Sequence, residues 1–316
     1  MRQRLVLHIG MHKTGSTSIQ RFFSRNRLAL SLAGIVYPLS VGADGRRQSK
    51  HNAIFTAISH EADHGAPHPV LGPSAELVEA TARRIEASGA RVAVMSAEGF
   101  SGERPVFARA LAPLGRRFDV TVVVFLRQPD DWLESFHRQM IMSREVREAR
   151  PIAEFLAAPE TRAHLDYFTI LDWWAEAFGA GALRILPFDP DRAGRPLAQL
   201  VEAADLPRWL LALPHARVRL NRSAPLDLVA RTLRENRGEA GGVSVGADGA
   251  AGLSGGESLD GRGGDSDYLR LSLQNRLALA DGLETAWRRR SQDSVQAIQP
   301  PPFIFSMLER MRRDSP

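Results

Sequence analysis

The sequence LVLHIGMHKTGST occupies residues 5–17, close to the amino terminus. It opens with a short apolar run of the kind found in buried strands and continues through a polar loop between Gly10 and Gly15. Apolar residues at roughly helical spacing follow: Ile19, Phe22, Phe23 and Leu30. A strand, a glycine loop and a helix start in direct succession favour anions, because backbone amides and the helix dipole both attract negative charge. The pattern therefore predicts an anion-binding loop over residues 10–17.

Further apolar runs predict the rest of a sheet. The first predicted strand covers residues 4–9, and the others cover residues 91–96, 119–126 and 183–187. Each run is nearly continuous rather than alternating, as expected of a parallel strand whose two faces are both covered. Helical patterns separate the runs; for example, Pro129 followed by Asp130 and Asp131 is typical of a helix start. The alternation predicts an α/β fold with a doubly wound parallel sheet flanked by helices.

The chain has 316 residues, 44% of them hydrophobic, which is enough for one large core. Residues 237–267 differ, because they are rich in glycine, serine and alanine and have almost no large apolar side chains. We therefore predict a single α/β domain at residues 1–236, a flexible insertion at 237–267, and a C-terminal helical segment at 268–316 that packs on the same domain. A gating role over the site is the alternative interpretation of the insertion.

The composition excludes several classes of protein. The chain has no cysteine, which excludes disulfides, thiolate metal sites and a cysteine nucleophile. Its net charge of +5 is spread along the chain, which favours an anionic ligand over nucleic acid. The first apolar run is too short for a signal peptide, and no stretch approaches the roughly 20 apolar residues of a membrane span. We therefore expect a cytoplasmic protein without a transmembrane segment.

The glycines of the first loop have the G-x-x-x-x-G spacing of nucleotide-binding P-loops, but the lysine is placed differently. Ser16 follows the second glycine, where an ATPase or GTPase has its lysine, whereas Lys13 lies inside the loop. Lys13 and Lys50 are the only lysines among 41 basic residues, so a lysine at this position is informative. The loop is therefore predicted to bind a phosphate pattern other than that of ATP or GTP.

A second candidate phosphate motif follows the predicted strand at residues 119–126. Arg127 comes directly after this strand, and Ser135 lies eight residues later on the predicted helix. Arginine offers a fixed fork of donors to a phosphate, and a serine hydroxyl near a helix start adds another. Arg127 also has a structural interpretation, an ion pair with Asp130 or Asp131. The functional interpretation gains weight because the motif occurs together with the first loop.

In this order, the two motifs resemble those of the sulfotransferases that use 3′-phosphoadenylyl sulfate (PAPS). Residues 12–17, HKTGST, resemble the family's 5′-phosphosulfate loop, whose core is Lys-[Ser/Thr]-Gly-[Ser/Thr]-[Thr/Ser], and Arg127 with Ser135 resembles its 3′-phosphate motif. The resemblance implies a P-loop-like fold, PAPS as co-substrate and no metal. The implied donor-binding residues are Lys13, Thr14, Gly15, Ser16, Thr17, Arg127 and Ser135. Weaker likeness to bacterial carbohydrate-type sulfotransferases, up to about residue 235, implies a sugar or other hydroxyl acceptor.

One part of the family pattern is missing from this chain. Cytosolic sulfotransferases have an Arg-Lys-Gly loop near the C-terminus that also holds the 3′-phosphate. The nearest candidates here are Arg222 and the segment at residues 262–264, Arg-Gly-Gly, and neither matches well. The residue that completes the 3′-phosphate pocket therefore stays open at this point.

The reaction also needs a base and a group that stabilises the leaving phosphate. The Lys13 ammonium suits the oxygen that bridges phosphorus and sulfur. Glu98 is the first candidate for the base, because it follows the predicted strand at 91–96, at the edge where ligands bind in such sheets. Its structural alternative is a solvated glutamate or an ion pair with Arg104. His51 is the second candidate for the base.

Two other function classes remain open from the sequence. A P-loop kinase acting on a small molecule would need Mg²⁺ and therefore a carboxylate at a strand end near the loop, where this chain has Arg127. A nucleotide-binding scaffold without catalysis is the second class, with the glycine-rich segment as its interaction arm. Nucleic-acid binding has no supporting motif.

Overall fold

A five-stranded parallel sheet lies at the centre of the fold. The structure is a computed structural model that describes residues 2–102, 104–189, 196–216, 224–238, 271, 273–293 and 301–313. Its strands are β1 (Arg4–Gly10), β2 (Ile35–Val36), β3 (Ser40–Val41), β4 (Arg47–Gln48), β5 (Val92–Ser96), β6 (Asp119–Arg127) and β7 (Leu183–Phe188). Strands β3 and β4 form a separate antiparallel pair.

The strand order in the sheet is β2-β5-β1-β6-β7. Strand β1 therefore pairs with β5 on one side and with β6 on the other, so that Leu5 lies opposite both Ala93 and Val120. The chain leaves β1 towards β2 and leaves β6 towards β7, in opposite directions. In open α/β sheets, the crevice between strands that diverge in this way is where ligands bind. The topology confirms the predicted doubly wound α/β fold and directs attention to the carboxyl ends of β1 and β6.

Helices cover both faces of the sheet. In chain order they are α1 (Ser16–Arg25), α2 (Arg27–Leu32), α3 (Asn52–His64), α4 (Ser74–Ala87), α5 (Val106–Leu111), α6 (Leu114–Arg117), α7 (Pro129–Met142), α8 (Ile152–Ala157), α9 (Pro159–Leu165), α10 (Tyr167–Phe178), α11 (Pro196–Ala203), α12 (Leu226–Asn236), α13 (Leu273–Asp293) and α14 (Pro302–Arg313). Short 3₁₀ helices occur at Glu98–Ser101, Ala180–Ala182 and Arg208–Ala212.

The two faces of the sheet have separate apolar cores. Leu5, Leu7 and Ile9 of β1 face a core formed with α3, α4, α5 and α10, whereas Val6 faces a core formed with α1, α2 and α11. Successive side chains of a strand point to opposite faces, so a strand covered on both sides needs apolar residues in nearly every position. This explains the continuous apolar runs in the sequence.

Two details differ from the pattern of apolar residues in the sequence. The edge strand β2 is only two residues long, and no apolar run in the sequence predicted it. The apolar positions 19–30 do not form one helix, because the chain breaks at Asn26 between α1 and α2. The Asn26 side chain donates to the carbonyl oxygens of Phe22 (3.0 Å) and Pro214 (2.8 Å), so a contact with a distant segment fixes this break.

The C-terminal helices α13 and α14 pack against the core that includes α10. Trp287 of α13 is fully buried, and its ring lies 5.2 Å from that of Phe168 and 6.1 Å from that of Tyr167. The predicted insertion lies outside the described residues from position 239 onward. Across the ranges that the structure describes, no helix is long and apolar enough to span a membrane.

Candidate active site

The loop between β1 and α1 lies directly against the segment that carries Glu98. Gly10 has φ +111°, and a Cβ atom there would lie 2.7 Å from the Glu98 carbonyl oxygen, too close for any side chain. On the other side, the Met11 N–H donates to the Phe125 carbonyl of β6 (3.2 Å). The start of the loop is therefore held between the ends of β5 and β6.

Two hydroxyl groups stabilise the loop from within. Thr14 Oγ1 donates to the Met11 carbonyl oxygen (2.6 Å), and Ser16 Oγ donates to the same oxygen (3.3 Å). Both residues are buried, so these hydroxyls shape the loop. The start of α1 suits an anion, because the first N–H groups of an α-helix have no acceptor within the helix and carry the positive end of its dipole.

Gly15 is required at the junction of the loop and α1. Its φ of +79° and ψ of 12° lie in the left-handed region, where glycine has no steric penalty. A Cβ atom would lie 3.1 Å from Pro196 Cγ and 3.4 Å from the Phe188 ring. Close packing against the end of β7 therefore adds to the conformational reason for glycine.

Lys13 lies at the tip of the loop and is partly buried. It adopts a positive φ of 64°, which is uncommon for a residue with a side chain. Burial lowers the pKa of its ammonium group, the positive charges of Arg127 and Arg138 lower it further, and the negative charge of Glu98 opposes them. Lys13 therefore lies in a cluster of positive charge that includes one carboxylate.

Arg127 connects the two sequence motifs. Its Nη1 donates to the Lys13 carbonyl oxygen at 3.2 Å, and its guanidinium carbon lies 5.7 Å from the centre of the Phe188 ring. Its Nε is buried and has no hydrogen-bond partner among the described residues. Of the two carboxylates considered from the sequence, Asp130 pairs with Arg276 (3.5 Å), whereas the negative charge of Asp131 acts on Arg127. Arg127 thus contacts the loop around Lys13 and has one buried N–H group without a partner among the described residues.

Helix α7 carries Ser135 and is tied to the same loop. The Trp132 indole N–H donates to the His12 carbonyl oxygen (3.1 Å), and α7 begins at Pro129, two residues after Arg127. Ser135 is buried on this helix. The structure therefore brings α7 and the loop around Lys13 together at the carboxyl end of β6.

A further arginine at this site was not identified from the sequence. Arg138 lies on α7 three residues after Ser135, and its charge acts on both Lys13 and Arg127. The sequence could have indicated Arg138 only through its spacing from Ser135, because residues three apart on a helix share a face.

Glu98 pairs with the other lysine of the chain. Its Oε1 lies 3.5 Å from Lys50 Nζ, with 23% of the Glu98 side chain and 37% of the Lys50 side chain exposed. Arg104, the partner considered from the sequence, pairs with Asp63 instead. Both lysines of the chain therefore act on the same carboxylate, which is accessible from solvent.

His51 has a different environment from Glu98. The residue is 1% exposed. Its backbone N–H donates to the Ser96 carbonyl oxygen (2.9 Å), and its ring Nδ1 accepts the Ser96 backbone N–H (3.0 Å). Burial lowers its pKa to about 4. These contacts anchor the segment that bears Lys50 to the end of β5. Because the His51 side chain is buried, an acceptor substrate has little access to it. His8 is likewise buried, with Nδ1 2.7 Å from Ser96 Oγ, as expected for a core histidine.

Two further expectations concern the 3′-phosphate pocket and a metal site. The candidates for completing the 3′-phosphate pocket, Arg222 and residues 262–264, lie outside them. Within them, no group of three or more histidine and acidic side chains is arranged to hold a metal ion.

Comparisons with known proteins find a resemblance in fold. No family model matches the chain, and no curated protein matches it. A solved structure that it resembles is a sulfotransferase from Alicyclobacillus acidocaldarius, with 16% identity, coverage of 75% of this chain and 93% of that chain, and a TM-score of 0.44. A likeness this distant does not bear on function, which has to be argued from the residues of this chain.

Proposed function

We propose that this chain is a sulfotransferase that transfers a sulfuryl group from PAPS to the hydroxyl group of a sugar or other hydroxyl compound. The observation that carries the proposal is the hydrogen bond from Arg127 Nη1 to the Lys13 carbonyl oxygen (3.2 Å). It joins two motifs that lie 114 residues apart in the chain and that would bind opposite ends of one nucleotide.

The electrostatics of the site support a ligand with several negative charges. Lys13, Arg127 and Arg138 act on one another through space, and the Nε atoms of both arginines are buried without a partner among the described residues. Burying a guanidinium N–H without an acceptor is unfavourable, so such a site is suited to a ligand that supplies acceptors. The 5′-phosphosulfate and 3′-phosphate groups of PAPS are acceptors of this kind.

In the proposed reaction, the acceptor oxygen forms a bond to sulfur while the bond from sulfur to the bridging oxygen breaks. The electron pair of that bond remains on the 5′-phosphate of the product, adenosine 3′,5′-bisphosphate (PAP). Lys13 would stabilise the charge that develops on the bridging oxygen. Glu98 would take the proton of the acceptor hydroxyl.

The surroundings of the two candidate bases favour Glu98. Its carboxylate is accessible and its negative charge acts on Lys13. The Glu98 backbone lies against Gly10 at the start of the loop, where a hydroxyl acceptor would approach the sulfuryl group. His51 is almost fully buried and hydrogen-bonded to the backbone of Ser96. We therefore assign His51 to anchoring Lys50, the partner of Glu98.

Calorimetric titration with PAP, AMP and Mg²⁺-ATP tests the proposed function. We expect PAP to bind without metal and more tightly than AMP, because Arg127 and Ser135 would contact the additional 3′-phosphate. Arg127→Ala should weaken PAP binding about tenfold or more, the value of a lost charge-assisted hydrogen bond, and should weaken AMP less, because AMP lacks the 3′-phosphate.

Two results would overturn the proposal. Equal affinity of the parent protein for PAP and AMP would mean that no 3′-phosphate site exists. Strong Mg²⁺-dependent binding of ATP together with weak binding of PAP would identify a kinase instead. As a matched control, Arg162→Ala removes an exposed arginine of α9 and should leave both affinities unchanged.

A further inference from the structure

Arg138 lies on the same side of α7 as Ser135. The two residues are three positions apart, which places them on one face of a helix, one turn from each other. Ser135 is buried and Arg138 is partly buried, so this face of α7 is turned towards the protein. Arg138 is therefore next to a residue already assigned to the donor site.

The Arg138 side chain has an unused donor in a buried position. Its Nε has no hydrogen-bond partner among the described residues, as is also true of Arg127 Nε. By contrast, Arg150, 12 residues further along the chain, donates through Nε and Nη2 to the Glu148 carboxylate at 2.9 and 2.7 Å. Two neighbouring guanidinium groups with buried, unpaired donors indicate a shared acceptor that comes from outside the chain.

Lys13, Arg127 and Arg138 bring three positive charges to this end of the sheet. Burial is the main cause of the lowered pKa values of Lys13 and Arg127, and the charge of Arg138 adds to the lowering in both. The three cations repel one another, and the negative charges of Glu98 and Asp131 oppose that effect. A bound polyanion would relieve that repulsion.

The charge of the ligand indicates which group Arg138 would bind. A phosphate monoester carries close to two negative charges at neutral pH, whereas Arg127 supplies one positive charge. Ser135 adds a hydrogen bond but no charge. A second cation would therefore match the second negative charge of a 3′-phosphate. Arg138 is the cation beside Ser135.

We infer that Arg138 is a specificity-determining residue that binds the 3′-phosphate of the donor together with Arg127 and Ser135. The inference rests on the proposed function, because it assigns a residue to the same donor site. Arg138 would thereby supply the additional positive charge at the 3′-phosphate that cytosolic sulfotransferases obtain from their Arg-Lys-Gly loop.

Calorimetric titration of Arg138→Ala with PAP and with AMP tests the inference. We expect PAP affinity to fall about tenfold or more and AMP affinity to stay within about twofold of the parent, because AMP lacks the 3′-phosphate. Arg138→Lys should recover part of the loss, because it restores the charge without the fork of donors. Arg144→Ala removes the same charge from an exposed position just after α7 and should leave both affinities unchanged.

Other outcomes separate this inference from the proposed function. If the parent prefers PAP to AMP but Arg138→Ala does not reduce that preference, the role of Arg138 is wrong and the proposed function stands. An equal loss of PAP and AMP affinity in both Arg138→Ala and Arg138→Gln would also overturn it, since it would place Arg138 at the 5′ end or in the fold. If the parent shows no preference for PAP, the proposed function itself fails.

Discussion

The two edges of the sheet both carry arginine, but they use the guanidinium groups differently. At the amino edge, Arg4 donates to the Ala204 carbonyl (2.5 Å) and Arg184 donates to the Gly181 carbonyl (2.7 Å). At the carboxyl edge, Arg127 and Arg138 each keep a buried Nε without a partner among the described residues. Arg4 and Arg184 therefore hold backbone carbonyl groups of the protein, whereas Arg127 and Arg138 each have an N–H group left for a ligand.

A cleft of about 1210 Å³ lies at the amino edge, and its arginines are Arg2, Arg4, Arg109, Arg116 and Arg184. In a parallel α/β sheet the helices run against the strands, so their negative C-terminal ends collect at this edge. Arginine there offsets the helix dipoles; Ala204, for example, directly follows α11. The positive charge of this cleft is therefore explained by the helix ends, without an anionic ligand.

The largest expected difference between the edges is in turnover after loss of a carboxylate. Glu98→Gln keeps the shape of the side chain and removes its basicity, so the rate should fall by about 10²–10⁴ while PAP affinity persists. Glu86→Gln, which removes a carboxylate paired with Arg117 near the other edge, is the matched control and should keep the parental rate. The measurement is PAP release from PAPS with the best hydroxyl acceptor from a panel.

His51→Ala, assayed in parallel, completes the test of the base. A Glu98→Gln variant with nearly parental turnover and an inactive, folded His51→Ala would transfer the role of base to His51. Full activity in both variants would mean that neither residue acts as the base.

Lys13→Ala should have the next largest effect, on the chemical step. We expect turnover to fall by about 10²–10³, the range for removal of one group that stabilises transition-state charge. PAP affinity should fall less, because the loop amides and the start of α1 still hold the phosphate. Lys13→Arg is not expected to restore the rate, since a planar fork does not replace a compact ammonium in a tight loop. Nearly parental turnover of Lys13→Ala would refute the role of the loop.

The carboxyl edge should also be the more sensitive to acid. Burial lowers the pKa of His51 from 6.5 to about 4, so its neutral form is favoured in the folded state. The resulting stability is fully present above about pH 6.5 and is lost as the pH falls towards 4, by up to about 3 kcal/mol. Urea denaturation at pH 7 and pH 4.5 should show this loss, and His51→Gln should show a smaller one. The same pH dependence in both proteins would contradict the assignment.

The smallest effect is expected at the amino edge itself. Arg4→Ala removes hydrogen bonds to the Ala204 and Asp205 carbonyl groups, so the free energy of unfolding should fall by about 1 kcal/mol. PAP affinity should stay within about twofold of the parent. Urea denaturation and calorimetry measure the two quantities separately. A loss of PAP affinity as large as that of Arg127→Ala would show that the two edges do not differ in the way described.

Much of the fold could be predicted because its signals are local. Each of the four apolar runs became a strand, since burial on both faces requires apolar residues throughout. The break at Asn26 could not be predicted, because its cause is a hydrogen bond to Pro214, 188 residues away. Strand β2 is too short to carry a pattern.

The candidate site shows the same division. The loop around Lys13 and the strand end at Arg127 are contiguous motifs, so the sequence predicted both. The pairing of Glu98 with Lys50 depends on how a segment 48 residues away is anchored, and the sequence suggested Arg104 instead. The burial of His51 and the position of Arg138 likewise follow from packing, which no spacing in the sequence specifies.

The placement of both lysines beside Glu98 has a practical consequence for anyone who handles this protein. Reagents that couple to amines, such as those used to attach proteins to biosensor surfaces or to dyes, would find side-chain amines only at Lys13 and Lys50. Immobilisation through side-chain amines would therefore attach the protein to its support at the proposed site. An added terminal tag avoids this inactivation, and mass spectrometry of a labelled sample would reveal a ligand directly as protection of Lys13.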